Sequence, residues 1–357
     1  LRQFTARFAT PEEIQAWDSH VTANPNGGNM LQAKAYAAVK AEHGWKPLYL
    51  AYETSDYTSF NLVLEKHVPL LGKYWYMIKG PDVASPDDLP GIFEANRRFC
   101  QAQAHGAFAI RIEPDVEATD ETRALLAREG LVKMPDLQPN DHTAIVDIAP
   151  EPEVVLKSFS SRGRNAVRRA IREGAEVVTA EPTEENFRAM FNLMGQVQQG
   201  QKNVQVRSFD YFKAFWGNFI AAGQGRLLFT YEDGKPSVGA FVVNYGRKGT
   251  YKDGGSLPRR KQYGDSHLIQ WTAMNQLKEL GITSYDLCGT PPAAELKNPE
   301  HEYYGLGLFK TSFTKTITDF VGCYDQVISP LKYKLWSAAG EKIARGLYVR
   351  RRHQPFY

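Results

Sequence analysis

Cysteine is scarce in this chain, with Cys100, Cys288 and Cys323 making an odd number at wide spacing. That excludes a disulfide scaffold, offers no metal-ligand rhythm and implies reduced, largely structural thiols of a cytoplasmic protein. No Ser-His-Asp order, HExxH helix or CxxC pair occurs, so the common hydrolytic and metal-centred mechanisms lack their residues. No window reaches the roughly 18 apolar residues of a membrane span. The N-terminal Leu1-Arg2-Gln3-Phe4-Thr5-Ala6-Arg7 lacks the apolar core of a signal peptide. Short tandem repeats, low-complexity segments and a sustained heptad run are absent as well. The formal net charge of +3 is too small to argue for a nucleic-acid partner; only clustering could do that.

What remains is an ordinary globular composition, and 357 residues are enough for two domains with a core each. The first half opens with a strand at 4–8 and a helix capped at Thr10, with Pro11 at its first position and Glu13 three residues on. A helix over 31–43 follows, then strands at 48–52, 60–69 and 75–78. Next come a helix over 89–106, a strand at 108–112, a helix near 120–130 and a strand at 143–148. The Pro150-Glu151-Pro152 break starts a helix running to 173. Beyond it the pattern predicts a strand at 175–179 and helices over 184–198 and 209–222. Strands follow at 226–231, 237–245 and 248–252, with Asp233-Gly234 turning the first into the second. A helix over 264–279 precedes a strand at 284–287, and the segments 308–316 and 318–322 close the unit, Lys310 lying on a buried strand edge. Alternating strands and helices argue for a mixed α/β fold in two similar parts. The expected boundaries are 1–149 plus 324–357 for the first domain and 150–323 for the second.

The informative stretch is the last quarter, where a strand, a turn of small residues, an amphipathic helix and a glycine-ended strand look like the core of an acyltransferase fold. Several segments share order and spacing with one family. They are Leu31-Gln32 with Tyr36 and Val39-Lys40, Lys79-Gly80-Pro81, and Arg111-Ile112-Glu113-Pro114. Further on come Ser160-Ser161-Arg162 to Glu173-Gly174, Arg207 before Phe209-Tyr211-Phe212, and Tyr245-Gly246-Arg247 to Ser256. Tyr285-Asp286-Leu287-Cys288-Gly289 and Phe309-Lys310 complete the set. In these the chain resembles the Fem-type (FemABX) peptidyltransferases, in particular the short members without a coiled-coil arm. The resemblance implies two tandem acetyltransferase-like (GNAT-type) domains with mixed sheets. It also implies transfer of an amino acid from aminoacyl-tRNA to the stem-peptide amine of a peptidoglycan precursor, lipid-linked or nucleotide-linked. Aminoacyl-tRNA would be a co-substrate, and no bound cofactor or metal is expected.

An aminoacyl ester is already reactive, so positioning and stabilisation of a developing oxyanion can supply much of the catalysis. Lys310 after Phe309 is the cation that the resemblance assigns there; the bland alternative is a solvated strand lysine. The attacking amine, with a free pKa near ~10.4, must lose a proton. Glu113 and Asp253 are the candidate acceptors, although Glu113 could pair with Arg111, family members usually show aspartate at Glu113 and often an aromatic at Asp253, and the substrate itself could supply the base. The precursor's phosphates and carboxylates call for cations. The resemblance assigns them to Lys40 and Arg207; the bland alternatives are a cation complementing a helix dipole and a cap at a helix entry. Tyr251 and Phe309 are expected as aromatic walls, or simply as core.

Two basic clusters remain. Arg164, Arg168 and Arg172 recur at four-residue spacing on one segment that also carries Lys157, Arg162 and Arg169, a stripe that suits a tRNA backbone. At the C-terminus Lys332, Lys334, Lys342, Arg345, Arg350, Arg351 and Arg352 alternate with Leu335, Trp336, Ala339, Ile343 and Leu347. That reads as a basic amphipathic helix, either touching the inner face of the cell membrane or packed on the first domain. Two other function classes compete. An acyl-CoA-dependent N-acyltransferase of the same fold would need a phosphate loop, and Arg260-Lys261-Gln262-Tyr263-Gly264-Asp265-Ser266 is only a degenerate one. A non-catalytic RNA- or membrane-binding module would have no need of the Phe309-Lys310 and 285–289 constellation.

Overall fold

A computed structural model describes residues 2–102, 106–138, 141–198 and 207–357. The chain divides into two compact units, one made of Leu1–Gln138 with Phe320–Tyr357 and the other of Pro139–Asp319.

In the first unit, strands β1 (Thr5–Phe8), β2 (Lys46–Glu53), β3 (Thr58–Val68), β4 (Gly72–Met77), β5 (Ala107–Ile112), β6 (Val132–Lys133) and β14 (Tyr324–Val327) form one sheet, in the order β1-β2-β3-β4-β5-β14-β6. Every pairing is antiparallel except β4 with β5. A parallel pair cannot be joined by a tight turn, and the helix Leu89–Gln101 makes the crossover. Its Leu89, Ile92, Phe93 and Cys100 pack with Trp75, Met77, Ile110 and Ile112 of the two strands. The helix expected over 89–106 is thus observed to Gln101, and 103–105 lie outside the described residues.

The second unit repeats the plan. Its strands are β7 (His142–Asp147), β8 (Val178–Ala180), β9 (Gly225–Glu232), β10 (Lys235–Tyr245), β11 (Lys248–Ser256), β12 (Ser284–Gly289) and β13 (Thr318–Asp319). They run in the order β13-β7-β12-β11-β10-β9-β8, with β11 and β12 the parallel pair. The crossover helix Asp265–Glu279 buries Leu268, Ile269, Ala273, Met274 and Leu277, the three-to-four spacing of an amphipathic helix. These side chains meet Leu228, Val242, Tyr285 and Leu287 on one face of the sheet. Successive strand residues point to opposite faces, so Phe229 and Phe241 belong to the other. There Trp216 and Phe215 of the helix Phe209–Ala221 pack on Phe241.

Several expectations need correction. The segment 308–316 is not a strand: Lys310 ends the short helix Tyr304–Lys310, and only Thr318–Asp319 pairs, as β13. The single helix expected up to 173 is two, Pro152–Ser158 and Ser161–Arg172. Buried Phe159 separates them, and the Ser160 hydroxyl accepts the Gly163 N–H to cap the second. Strand β7, read from sequence with the first half, pairs with β12 and β13. Strand β11 runs on through Ser256 where a turn of small residues was expected, because its glycines lie against neighbours. A Cβ on Gly255 would fall on the backbone of Leu193 and Met194, and one on Gly254 would fall on the Tyr251 ring.

The C-terminal segment is helical but jointed, as Pro330–Leu335, a π turn over Trp336–Gly340 and Glu341–Arg352. Trp336, expected on the apolar face offered to a membrane, is buried against Tyr74 and Phe108. The tail is fastened to the first unit by Lys66, whose ammonium donates to the Phe356 carbonyl at 2.6 Å and lies 3.8–4.1 Å from the ring centroids of Trp45, Tyr348 and Phe356.

Candidate functional site

The two parallel pairs differ in one respect that matters for chemistry. In the first unit β4 and β5 stay paired from Lys73 opposite Ala107 to Met77 opposite Ile112, with a single register shift after Lys73. In the second, β11 and β12 pair only at Lys248–Thr250 with Ser284–Asp286 and then part. Strand β11 follows β10 through a bulge at Lys252, since Phe241 faces Asp253 while Val242 faces Tyr251. Strand β12 follows β7 through an irregularity between Asp286 and Gly289, where Cys288 takes a left-handed φ of 58°. The divergence opens a wedge in the second sheet.

Lys310 closes one side of it. Its Nζ donates to the carbonyl oxygens of Gly289 at 2.7 Å and Cys288 at 3.2 Å, and the side chain is 6 % exposed. Burial pulls the ammonium pKa down from 10.5, against the opposing pull of Cys288 and Asp286. An ammonium carries three N–H donors, so two bonded carbonyls leave one for a further acceptor. The Asp286 carboxylate is held by the Thr143 hydroxyl and by the Cys288 N–H at 2.6 Å.

The helix that ends at Lys310 is held from behind. The Ser160 N–H donates to the Ser312 carbonyl at 3.0 Å, and the close approach leaves no room for a side chain at Gly163. The Ser312 hydroxyl donates to the Phe309 carbonyl at 2.5 Å, so the His267 Nε2 at 3.1 Å is the donor to that hydroxyl. The His267 ring meets Phe309 edge-on at 4.9 Å and Phe313 at 5.3 Å. Burial, then the charge of Arg162, push its pKa down to about 4 against the pull of Asp265, so the ring stays neutral.

On the β11 side, Tyr251 is half-buried, packed on the core, with its hydroxyl pKa raised by burial and then by Asp253. Both Asp253 oxygens have partners: one accepts the Trp216 indole N–H at 2.9 Å, the other the Lys252 ammonium at 3.1 Å. Lys252 also lies 5.2 Å from the Phe215 ring. Arg207 precedes Ser208, whose hydroxyl caps the helix Phe209–Ala221 by accepting the Tyr211 N–H. The Arg207 guanidinium instead stacks 4.2 Å above the Tyr211 ring.

The remaining candidates divide. Lys40 and Glu113 belong to the first unit. Lys40 is buried near the end of the helix Lys34–Glu42, its ammonium 5.4 Å from the Tyr36 ring centroid. Glu113 is fully buried and accepts from the Tyr76 hydroxyl at 2.6 Å and the Gln138 N–H at 3.2 Å. Arg111, the partner considered for it, instead forks onto Asp325 at 2.8 and 2.9 Å and reaches Glu341. In the arginine stripe, Arg168 and Arg172 are exposed. Arg164 is half-buried and donates to the carbonyls of Lys157 and Phe159 across the helix break. Sequence reasoning missed Lys252, His267 and Trp216. A bulge lysine beside Asp253 was the one available signal; the other two act through contacts that no spacing reveals.

Two clefts of about 530 and 470 Å³ lie elsewhere, and neither includes Lys310, Tyr251 or Asp253. The second adjoins the start of the helix Asp265–Glu279, where a GNAT-type fold would hold a CoA pyrophosphate on free helix N–H groups. One of those groups is taken by the helix's own side chain. The Asp265 carboxylate accepts the Ser266 N–H at 2.7 Å and is paired with Arg260 at 2.7 Å. Gly264 abuts the Ala166 carbonyl, and Glu176, Glu232, Asp233 and Asp265 line the cleft, with Lys261 paired to Asp233 at 2.8 Å. These residues do not fit a pyrophosphate. Among the described residues no group of three or more His, Cys, Asp or Glu side chains could hold a metal ion.

Comparison with known proteins agrees with this architecture. A family profile described as "Acetyltransferase (GNAT) domain" matches residues 161–301. The lipid II:glycine glycyltransferase of Staphylococcus saprophyticus is 25 % identical, covering 90 % of this chain and 93 % of that one. The protein of that name from Staphylococcus aureus (strain MRSA252) is 24 % identical with the same coverage. The first alignment spans 399 positions against 357 residues here, so the relative carries sequence that this chain lacks. The crystal structure of FemX superposes with a TM-score of 0.77 at 22 % identity, over 94 % of this chain and 99 % of that one. The fold is a tandem of GNAT-like domains.

Proposed function

We propose that this chain, a member of the Fem-type family, is an aminoacyltransferase that builds peptidoglycan cross-bridges, taking its amino acid from aminoacyl-tRNA and passing it to a stem-peptide amine. The observation that carries the reading is the wedge in the second unit, with a buried lysine fixed on the carbonyls of Cys288 and Gly289 and one N–H to spare. The amine nitrogen adds to the ester carbonyl, a C–N bond forms and negative charge collects on the carbonyl oxygen. The spare Lys310 N–H faces that charge. Collapse breaks the C–O bond and releases the tRNA 3′-hydroxyl, which takes up the proton that the amine gives away. An oxyanion donor of this kind is worth about 10²–10³ in rate.

The acceptor of the amine proton is Asp253, Glu113 or the substrate itself, and the pairing of both carboxylates with neighbouring donors favours the substrate. Lys40 in the first unit and Arg207 in the second are each read as a cation for an anionic group of the precursor, with Tyr251 and Phe309 as apolar walls. Exposed Arg168 and Arg172 suit the tRNA backbone, while Arg164 braces the helix break beside them. An acyl-CoA donor is disfavoured by the self-occupied helix start at Asp265. A lipid-linked acceptor further calls for peripheral membrane contact; among the described residues no helix is long and apolar enough to cross a membrane.

The test is incubation with a mixture of charged tRNAs and both acceptor types, read by mass spectrometry. A precursor heavier by one amino-acid residue, formed only with charged tRNA, is the expected product. Acylation of an amine by acyl-CoA in the absence of tRNA would overturn the reading.

A further inference from the structure

The C-terminal helical segment is apolar on two faces. One is used within the first unit, where Tyr333, Trp336 and Tyr348 pack. The other is bare: Leu331 is 74 % exposed, Leu335 and Ile343 58 % each and Leu347 47 %. In an unbroken helix Ile343, eight residues after Leu335, would be turned by about 80° from it. The wider π turn over Trp336–Gly340 lies between the two and reduces this offset. A fifth exposed apolar side chain lies on a neighbouring element. Leu70, at the tip of the β3–β4 hairpin, is fully exposed with a left-handed φ of 67°. That hairpin adjoins the segment, with Lys332 Nζ beside Gly72 and Leu71 beside Gly340. Leu70, Leu331, Leu335 and Ile343 are the four most exposed large apolar side chains among the described residues. Their concentration on two adjoining elements asks for an apolar partner.

Charge identifies that partner. Lys332, Lys334, Lys342, Arg345, Arg350, Arg351 and Arg352 are all exposed, and the one acid of the segment, Glu341, is held by Arg111 at 2.9 Å and by the Tyr357 hydroxyl at 2.6 Å. A second copy of the chain is a poor occupant, because a two-fold contact would set these seven cations against themselves. We propose that this surface is a membrane-docking face that seats on anionic phospholipid, the leucines entering the acyl boundary and the cations meeting the headgroups. The inference rests on the reading of a membrane-borne acceptor for its purpose, but its geometry is independent of the transfer reaction.

The experiment is co-sedimentation of the whole chain with phosphatidylcholine vesicles, with and without phosphatidylglycerol. Binding is expected only with phosphatidylglycerol, with release by salt, since the attraction fades within a Debye length. Each exposed cation near such a surface strengthens partitioning about fivefold. A triple variant, Leu70→Ser, Leu331→Ser and Leu335→Ser, should lose binding by roughly tenfold or more while unfolding at the wild-type temperature, because nothing buried is removed. Its transfer to a water-soluble acceptor should be unchanged. Equal sedimentation of the two proteins, absence of wild-type binding at low salt, or a dimer abolished by the triple variant would each overturn the proposal. Vesicle binding by a protein that transfers no amino acid would leave this surface standing and remove the proposed reaction.

Discussion

Lys310 Nζ donates to the carbonyl oxygen of Gly289 at 2.7 Å, tying the end of a helix to the end of strand β12, which parts from β11 at the wedge. The bond fixes a cation where chain ordering has already been completed by folding, so no reorganisation is needed when charge develops. Lys310→Met should therefore fold and lose about 10²–10³ in kcat. The pH profile gives a second reading. Burial lowers the lysine's pKa from 10.5, and the protonated form is the donor, so activity should fall on the alkaline side at a pH below 10.5. Lys310→Arg, which cannot lose its proton in this range, should retain part of the rate and shift that limb upward. A near-wild-type kcat in Lys310→Met would remove the residue from the mechanism.

Asp253 answers to a different pair of variants. Its carboxylate holds the buried Trp216 N–H and the Lys252 ammonium. Asp253→Ala leaves a buried donor unsatisfied, a cost of about 1–3 kcal/mol in unfolding free energy. Asp253→Asn keeps an acceptor for Trp216 and should recover most of that stability, with turnover within a few-fold of wild type. Loss of turnover in Asp253→Asn equal to that in Asp253→Ala, at restored stability, would instead mark the carboxylate as the proton acceptor.

The alternation of strands and helices, both crossover helices and the tandem arrangement were legible because they rest on local periodicity. The state of Lys310 was not. The 304–310 stretch, Tyr304-Gly305-Leu306-Gly307-Leu308-Phe309-Lys310, is apolar with glycines and reads equally as a short strand. Only the carbonyls of Cys288 and Gly289, twenty-one residues and more upstream, decide where its lysine goes. Trp336 was misjudged for the same reason. Helical spacing showed an amphipathic segment but could not show the π turn, nor the rings of Tyr74 and Phe108 that take the indole out of solvent. The Gly254-Gly255 pair was noticed for its smallness. What makes it small, a ring on one glycine and a helix backbone on the other, is tertiary.

Gly255→Ala tests that last relation. The added methyl would meet main-chain atoms of Leu193 and Met194, which cannot swing aside as a side chain would. The helix Glu184–Gln198 must shift from the sheet, at a cost of roughly 1–3 kcal/mol. Urea unfolding should show a lower midpoint at an unchanged slope. A midpoint equal to wild type would mean that the helix does not sit this close in solution.

His267 should make the stability of the second unit depend on acid. Its imidazole is neutral in the fold with a pKa of about 4, against 6.5 for the unfolded chain. Between those values the unfolded chain binds a proton that the folded chain refuses, so stability rises with pH across the window and falls as pH drops from 6.5 towards 4. Below both values no further change comes from this group. The full span corresponds to at most about 3 kcal/mol. His267→Gln keeps a side-chain N–H for Ser312 and has nothing to titrate, so it should flatten the acid slope of the unfolding midpoint while the plateau near neutrality moves little. Because His267 reaches Lys310 only through Ser312 and Phe309, His267→Ala should lower kcat more than it raises KM, and His267→Gln should recover much of the rate. An acid slope that survives in His267→Gln would show that another group, and not this imidazole, takes up the proton on unfolding.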